Sequence, residues 1–286
     1  MAIALITGTS SGIGLATAVT LARAGHTVIA TMRNIEKAGE LQTIVAAEKL
    51  LVSVTALNVD DDASVSDAIG KILAEQEHID VLVNNAGIGA GGSVEEVPMG
   101  DFRQVMETNF FGALRCIKAV TPSMRERQRG CIVNVTSVAG RVALPPQAAY
   151  AASKWALDAL SEVLAQEMKA FNVRVAIIEP GVIATPIFGK AKPTKGDSPY
   201  PHLRRQRALF AASLTKPTSP YVVGEQIRQI VEGDSWQLRY PVGPDAAPFL
   251  KWRASKTDEE MVEGGAATDK EYKAHVKREF GLDIEL

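Results

Sequence analysis

Short apolar runs alternate along the chain with longer stretches in which apolar residues recur at helical spacing. Residues 2–7 are such a run, ended by Gly8, and from Ile13 to Ala24 the spacing is helical until Gly25 stops it. The pattern predicts a strand, a glycine turn and a helix. Further strands are expected over residues 27–31, 52–57, 81–84, 131–136 and 173–178. Helices are expected over 35–49, 63–76, 101–127 and 147–171, the last introduced by Pro145-Pro146. Short buried strands alternating with helices require a parallel sheet covered on both faces, because each right-handed crossover lays its helix over the sheet. The expected fold class is α/β, a doubly wound, Rossmann-type parallel sheet in a single domain.

Past Thr185 the texture changes. Residues 186–220 carry Pro193, Pro199, Pro201 and Pro217 around the basic run Arg204-Arg205-Gln206-Arg207, which reads as a long substrate-binding loop region with a short helix. Ser219 and Pro220 can open a helix that ends at Gly233, and residues 236–240 look like a last strand. Residues 1–245 thus form the main body of the fold. The charged 246–286 extension packs on or near it, and Thr268 with Glu271 makes a capping box for a terminal helix closed at Gly281.

Composition narrows the partners. With 46% hydrophobic residues the chain can bury a full core, and a formal charge of -2 argues against a nucleic-acid binder. Cys116 and Cys131 are too few for a disulfide framework or a cysteine-rich metal site. No Asp/His cluster has ligand spacing, so no metal is expected. The absence of a basic leader and of a long apolar run gives the expectation of a cytoplasmic protein without a membrane span.

The chemistry centres on Tyr150-Ala151-Ala152-Ser153-Lys154. Positions four apart share a helix face, so the Lys154 ammonium can lower the phenol pKa of Tyr150 and make it usable for proton transfer. With five tyrosines in the chain the spacing alone has little weight. One lysine also falls short of the roughly 4 kcal/mol needed to bring a phenol to neutrality. The glycine turn supplies context. Gly8-Thr9-Ser10-Ser11-Gly12-Ile13-Gly14 lies between strand and helix, where backbone N–H groups and the helix N-terminus suit an anionic phosphate. The same residues match G-x-S-x-G, a hydrolase elbow with Ser10 as nucleophile, but only His26, His78, His202 and His275 could complete a triad. About 20 residues beyond the turn, where an acid would bind a ribose 2′-OH and an arginine a 2′-phosphate, the chain has Ala30-Thr31-Met32-Arg33-Asn34. NADP(H) is favoured and NAD(H) remains possible.

The glycine turn, Asn84-Asn85-Ala86-Gly87, Ser137 and Tyr150-x-x-x-Lys154 stand in the order of the short-chain dehydrogenase/reductase family, which the chain resembles over residues 2–245. The branch it resembles most is that of hydroxysteroid and retinol dehydrogenases. The resemblance implies that Asn109, Ser137, Tyr150 and Lys154 are catalytic. It implies that Gly8, Ser10, Gly12, Ile13 and Gly14 hold the pyrophosphate, with Arg33 nearby. Asn58 and Val59 would seat adenine, although many members have Asp in place of Asn58. Asn85, Ala86 and Gly87 would flank the ribose, which Lys154 also reaches beside Tyr150. Pro180, Gly181, Ile183 and Thr185 would meet the nicotinamide end. The resemblance further implies hydride transfer between NADP(H) and a carbonyl or secondary alcohol, a small-molecule partner, and a homodimer or homotetramer built on the long helices. The alternative is a non-enzymatic NADP(H)-sensing protein, with the Ser10 hydrolase more remote.

Overall fold

In the first strand, β1 (Ile3–Thr7), Ala4 and Ile6 point to one face and Leu5 to the other. This alternation divides the interior in two. The computed structural model describes residues 1–189 and 198–286. Its sheet contains β1, β2 (Thr27–Met32), β3 (Val52–Ala56), β4 (Val81–Asn84), β5 (Gly130–Val135), β6 (Val173–Pro180) and β7 (Arg239–Val242), in the order β3-β2-β1-β4-β5-β6-β7. All pairings are parallel. One face packs on α1 (Gly12–Arg23), α2 (Gly39–Glu48) and α8 (Tyr221–Glu232) through Leu15, Val19, Leu41, Val223 and Ile227. The other packs on α3 (Asp62–Gln76), α5 (Gly112–Glu126) and α6 (Ala148–Lys169) through Ile69, Ile117, Val120, Met124 and Met168. The doubly wound single domain expected from the sequence is the fold observed.

Three expected elements differ in detail. The helix expected over 101–127 is two helices, α4 (Met99–Met106) and α5, joined by a π turn over Glu107–Phe111. Gly112, at the start of α5, lies where a Cβ would meet the Val59 side chain at 2.8 Å, so the helix is pressed close to the end of β3. The strand expected over 236–240 lies later, at Arg239–Val242, because Trp236 turns its indole to donate to the Val175 carbonyl at 2.9 Å. Helix α8 begins at Tyr221, with Ser219 Oγ accepting from the Tyr221 N–H at 3.3 Å. Within the expected 186–220 loop, Pro193 falls outside the described residues, and α7 (His202–Ser213) contains the basic run.

The extension has more structure than its charge suggested. Helices α9 (Ala246–Ala254) and α10 (Asp258–Gly264) precede α11 (Asp269–Phe280), whose Thr268–Glu271 capping box and left-handed Gly281 are as expected. Leu209 of α7, Phe249, Val276 and Ile284 form a third buried cluster, and the Phe249 ring stacks on Phe280 at 4.2 Å.

Candidate active site

The strand order reverses between β1 and β4, so a crevice opens at their carboxyl ends, flanked by the glycine turn and Asn85-Ala86-Gly87. Asn85 Nδ2 donates to the carbonyls of Thr7 and Gly8 at 2.8 and 3.2 Å. Thr7 Oγ1 accepts from the N–H groups of Asn85 and Ala86, both at 3.0 Å. This lacing explains two of the glycines. A Cβ on Gly8, whose φ is +72°, would lie 2.8 Å from Ala86 Cα, and one on Gly14 would lie 2.3 Å from the Gly8 carbonyl oxygen. The third, Gly12, has φ +60° and faces Thr185 at 3.1 Å.

Helix α1 opens at Ser11 with no side-chain cap and no acid in its first turn, so its leading N–H groups are left for an external anion. Ser10, Gly12 and Ile13 line a cavity there of about 1320 Å³. Arg33, exposed just past β2, lines the same cavity, and no carboxylate stands between it and the strand. Asn58 and Val59 line it further along. Asn58 N–H donates to Ser64 Oγ at 3.0 Å, while Asp60 is held through Oδ2 by Gln104 at 2.8 Å.

At the inner end, the π turn directs Asn109 inward. Its carboxamide brackets Ile88, accepting from the N–H at 2.8 Å and donating to the carbonyl at 3.0 Å. It also donates to Ser153 Oγ at 2.9 Å, and Ser153 in turn donates to the Tyr150 carbonyl at 2.7 Å. Ser153 therefore joins Asn109 to the first turns of α6. Buried Lys154 donates to the Val135 carbonyl at 2.9 Å, with Nζ 5.7 Å from the Tyr150 ring centre. Asn109 Oδ1 and Lys154 Nζ both approach the space beside Gly87, within 3.3 and 3.7 Å of where its Cβ would be. Ser137 Oγ accepts from the Ala139 N–H at 3.1 Å and donates to the Pro180 carbonyl at 3.4 Å, and Ser137 lines the cavity together with Tyr150.

The electrostatics differ from the sequence argument. Burial pushes the Tyr150 phenol above its ordinary value, and the Ser137 hydroxyl opposes that rise. Lys154 cannot rescue it alone, since its own burial brings it down to about 8. The two cysteines are buried and inert, with Cys116 pushed up to about 12 and Cys131 to about 11 by burial.

Pro180 at the end of β6 and Gly181, Ile183 and Thr185 beyond it line the same cavity, so every candidate residue of this set faces the one crevice except Gly14 and Asn109, which support it from behind. Ser10 has no histidine partner among the described residues. His26 bonds the Ala2 N–H and faces Glu232, His78 pairs with Asp80, His202 faces Gly265, and His275 lies beside Arg278.

Comparison with known proteins agrees with this geometry. The family model described as short chain dehydrogenase matches residues 2–196. The chain belongs to the short-chain dehydrogenase family. It is 42% identical over 220 residues to retinol dehydrogenase 8 of Bos taurus, covering 75% of this chain and 70% of that one. A short-chain dehydrogenase from Streptomyces avermitilis superposes with a TM-score of 0.82 at 35% identity, over 92% of this chain and 95% of that chain. An alcohol dehydrogenase from Thermococcus sibiricus, complexed with 5-hydroxy-NADP, superposes with a TM-score of 0.70 at 26% identity, over 84% and 95%.

Two features of this short-chain dehydrogenase escaped the sequence reading. Phe249, Trp252 and Tyr272 of the charged extension line the cavity. Their aromatic character, unusual in so polar a segment, was the available signal. Asp245 also lines the cavity and binds the Val182 N–H at 2.7 Å. Its place before an apolar helix after Val242-Gly243-Pro244 marks a cap and nothing more.

Proposed function

We propose that this oxidoreductase transfers a hydride between NADP(H) and a carbonyl or secondary alcohol, with Tyr150 as general acid and base. The observation that carries the reading is the continuity of one cavity from the uncapped start of α1 to the Ser137–Tyr150 phenol pair. The residues fit a dinucleotide. Gly8, Ser10, Gly12, Ile13 and Gly14 would form its phosphate cradle, Arg33 would meet the 2′-phosphate, and Asn58 with Val59 the adenine. Asn85, Ala86, Gly87 and Lys154 would flank the ribose, and Pro180, Gly181, Ile183 and Thr185 the nicotinamide end. When bound, the nicotinamide supplies or accepts the hydride. Tyr150 gives its phenolic proton to the substrate oxygen in reduction and takes it back in oxidation. Ser137 orients that oxygen and stabilises negative charge on it. Lys154 favours the phenolate that remains, and Asn109 fixes the helix turn on which Tyr150 and Lys154 stand. The similar bovine protein is a retinol dehydrogenase and the similar archaeal one an alcohol dehydrogenase solved with a 5-hydroxy-NADP ligand, which supports both substrate type and cofactor. Exposed Phe111, Trp155 and Val163, at the end of the π turn before α5 and along α6, support a homodimer or homotetramer.

The test is turnover of a panel of ketones, aldehydes and secondary alcohols with NADPH, NADH and their oxidised forms. NADP(H)-linked turnover is expected, lost in Tyr150→Phe with dinucleotide affinity kept within about twofold, and Arg33→Ala should weaken NADPH more than NADH. Tight NADPH binding with no turnover across the panel would favour the sensing reading instead.

A further inference from the structure

The segment after β6 is held in place by the last residue before the extension, which caps the extension's first helix. Asp245 stands at the N-cap of α9, half-buried, and its Oδ2 accepts from the Val182 N–H at 2.7 Å. Its other oxygen, Oδ1, is buried without a hydrogen-bond partner and lies 2.2 Å from where a Cβ on Gly181 would sit. Gly243, at φ +104°, leaves room for the same carboxylate, with Oδ1 3.2 Å and Ile183 Cδ1 3.4 Å from its own Cβ position. The Gly181 N–H is tied to the Val242 carbonyl at 2.9 Å, so both sides of the carboxylate are pinned to β7 and the turn that follows it. Two glycines are thus spent on letting one carboxylate reach one backbone amide. A hydrogen bond to an ionised acceptor is stronger than a neutral one, and here it fixes where the 181–183 backbone stands.

We propose that Asp245 is a positioning residue that sets the 181–183 backbone for the nicotinamide end of the dinucleotide, and so couples the C-terminal extension to the cofactor. The inference rests on the dinucleotide reading above. Asp245 acts through Val182 and Ile183, and four residues further along, in α9, lies Phe249, which lines the same cavity.

The experiment compares two ligands by calorimetric titration. One is NADPH; the other is 2′-phospho-ADP-ribose, which keeps the adenine, phosphates and ribose but lacks nicotinamide. In Asp245→Ala, affinity for NADPH should fall at least about tenfold while affinity for 2′-phospho-ADP-ribose stays within about twofold of the wild type. Asp245→Asn, which retains an acceptor for the Val182 N–H, should recover most of the loss. Gly181→Ala, which leaves the carboxylate intact but drives a methyl into it, should reproduce the same split and serves if Asp245→Ala does not fold. Equal losses for both ligands, or unchanged NADPH affinity in Asp245→Ala and Gly181→Ala, would overturn the proposal. A wild type that binds neither ligand, nor NADH and ADP-ribose in their place, would instead overturn the dinucleotide reading on which it stands.

Discussion

Lys154 holds its amine in the buried inner end of the crevice, where it donates to the Val135 carbonyl at 2.9 Å, and its protonation balance depends on how dry that site is. Burial holds Lys154 down to about 8, at a cost of roughly 3 kcal/mol to its charged form. Between about pH 8 and pH 10.5 the unfolded chain keeps this proton while the folded one has lost it, so folding stability from this group rises with pH across that window. Urea unfolding followed from pH 7.5 to pH 10.5 should therefore show wild type gaining stability relative to Lys154→Met as pH increases. A difference that is flat with pH would mean that Lys154 titrates normally. In the cofactor-free protein the phenol is likewise pushed up, so a second positive group beyond Lys154 is needed to make Tyr150 a base.

The elements around the site were readable where a local pattern determined them and unreadable where a tertiary contact did. Strand β4 has the expected bounds, since Val81 to Asn84 is a buried run with sharp ends. The π turn at Glu107–Phe111 has no such signature. It follows from Asn109 bracketing Ile88 and from Gly112 closing on Val59, contacts between segments far apart in sequence. Glycines show the same division. Gly14 is packed against rigid backbone, with the Gly8 carbonyl 2.3 Å and Asn85 Nδ2 2.4 Å from its Cβ position, whereas nothing lies within 4 Å of the corresponding point on Gly70 in α3. Gly14→Ala should cost about 1–3 kcal/mol from overpacking and lower dinucleotide affinity more than tenfold. Gly70→Ala, in an exposed helix interior, should gain about 0.5–1 kcal/mol and leave affinity unchanged. Paired denaturation and titration curves decide the matter, and equal effects of the two substitutions would refute the account of the turn.

At the scale of the molecule, the extension is bound to the body of the fold through the third buried cluster and through polar contacts from α7. Arg205 of α7, buried although it sits in a basic run, donates from Nε to Asp269 Oδ1 at 2.9 Å and from a terminal nitrogen to the Ala267 carbonyl at 2.7 Å. Its guanidinium also lies 5.3 Å from the Tyr272 ring centre. The three contacts all reach the start of α11, and only tertiary structure distinguishes Arg205 from its exposed neighbours Arg204 and Arg207. Charge-assisted hydrogen bonds contribute about 1.5–3 kcal/mol each. Arg205→Met keeps an apolar stem among Leu209 and Tyr272 but removes both bonds. Amide exchange in α11 should then speed up by about 30-fold, the equivalent of roughly 2 kcal/mol, while the amides of β1 and β4 keep their protection. Equal acceleration in sheet and tail would mean that the two open as one cooperative unit. Loosening confined to the tail would make α11 a movable wall of the cavity, attached at Arg205.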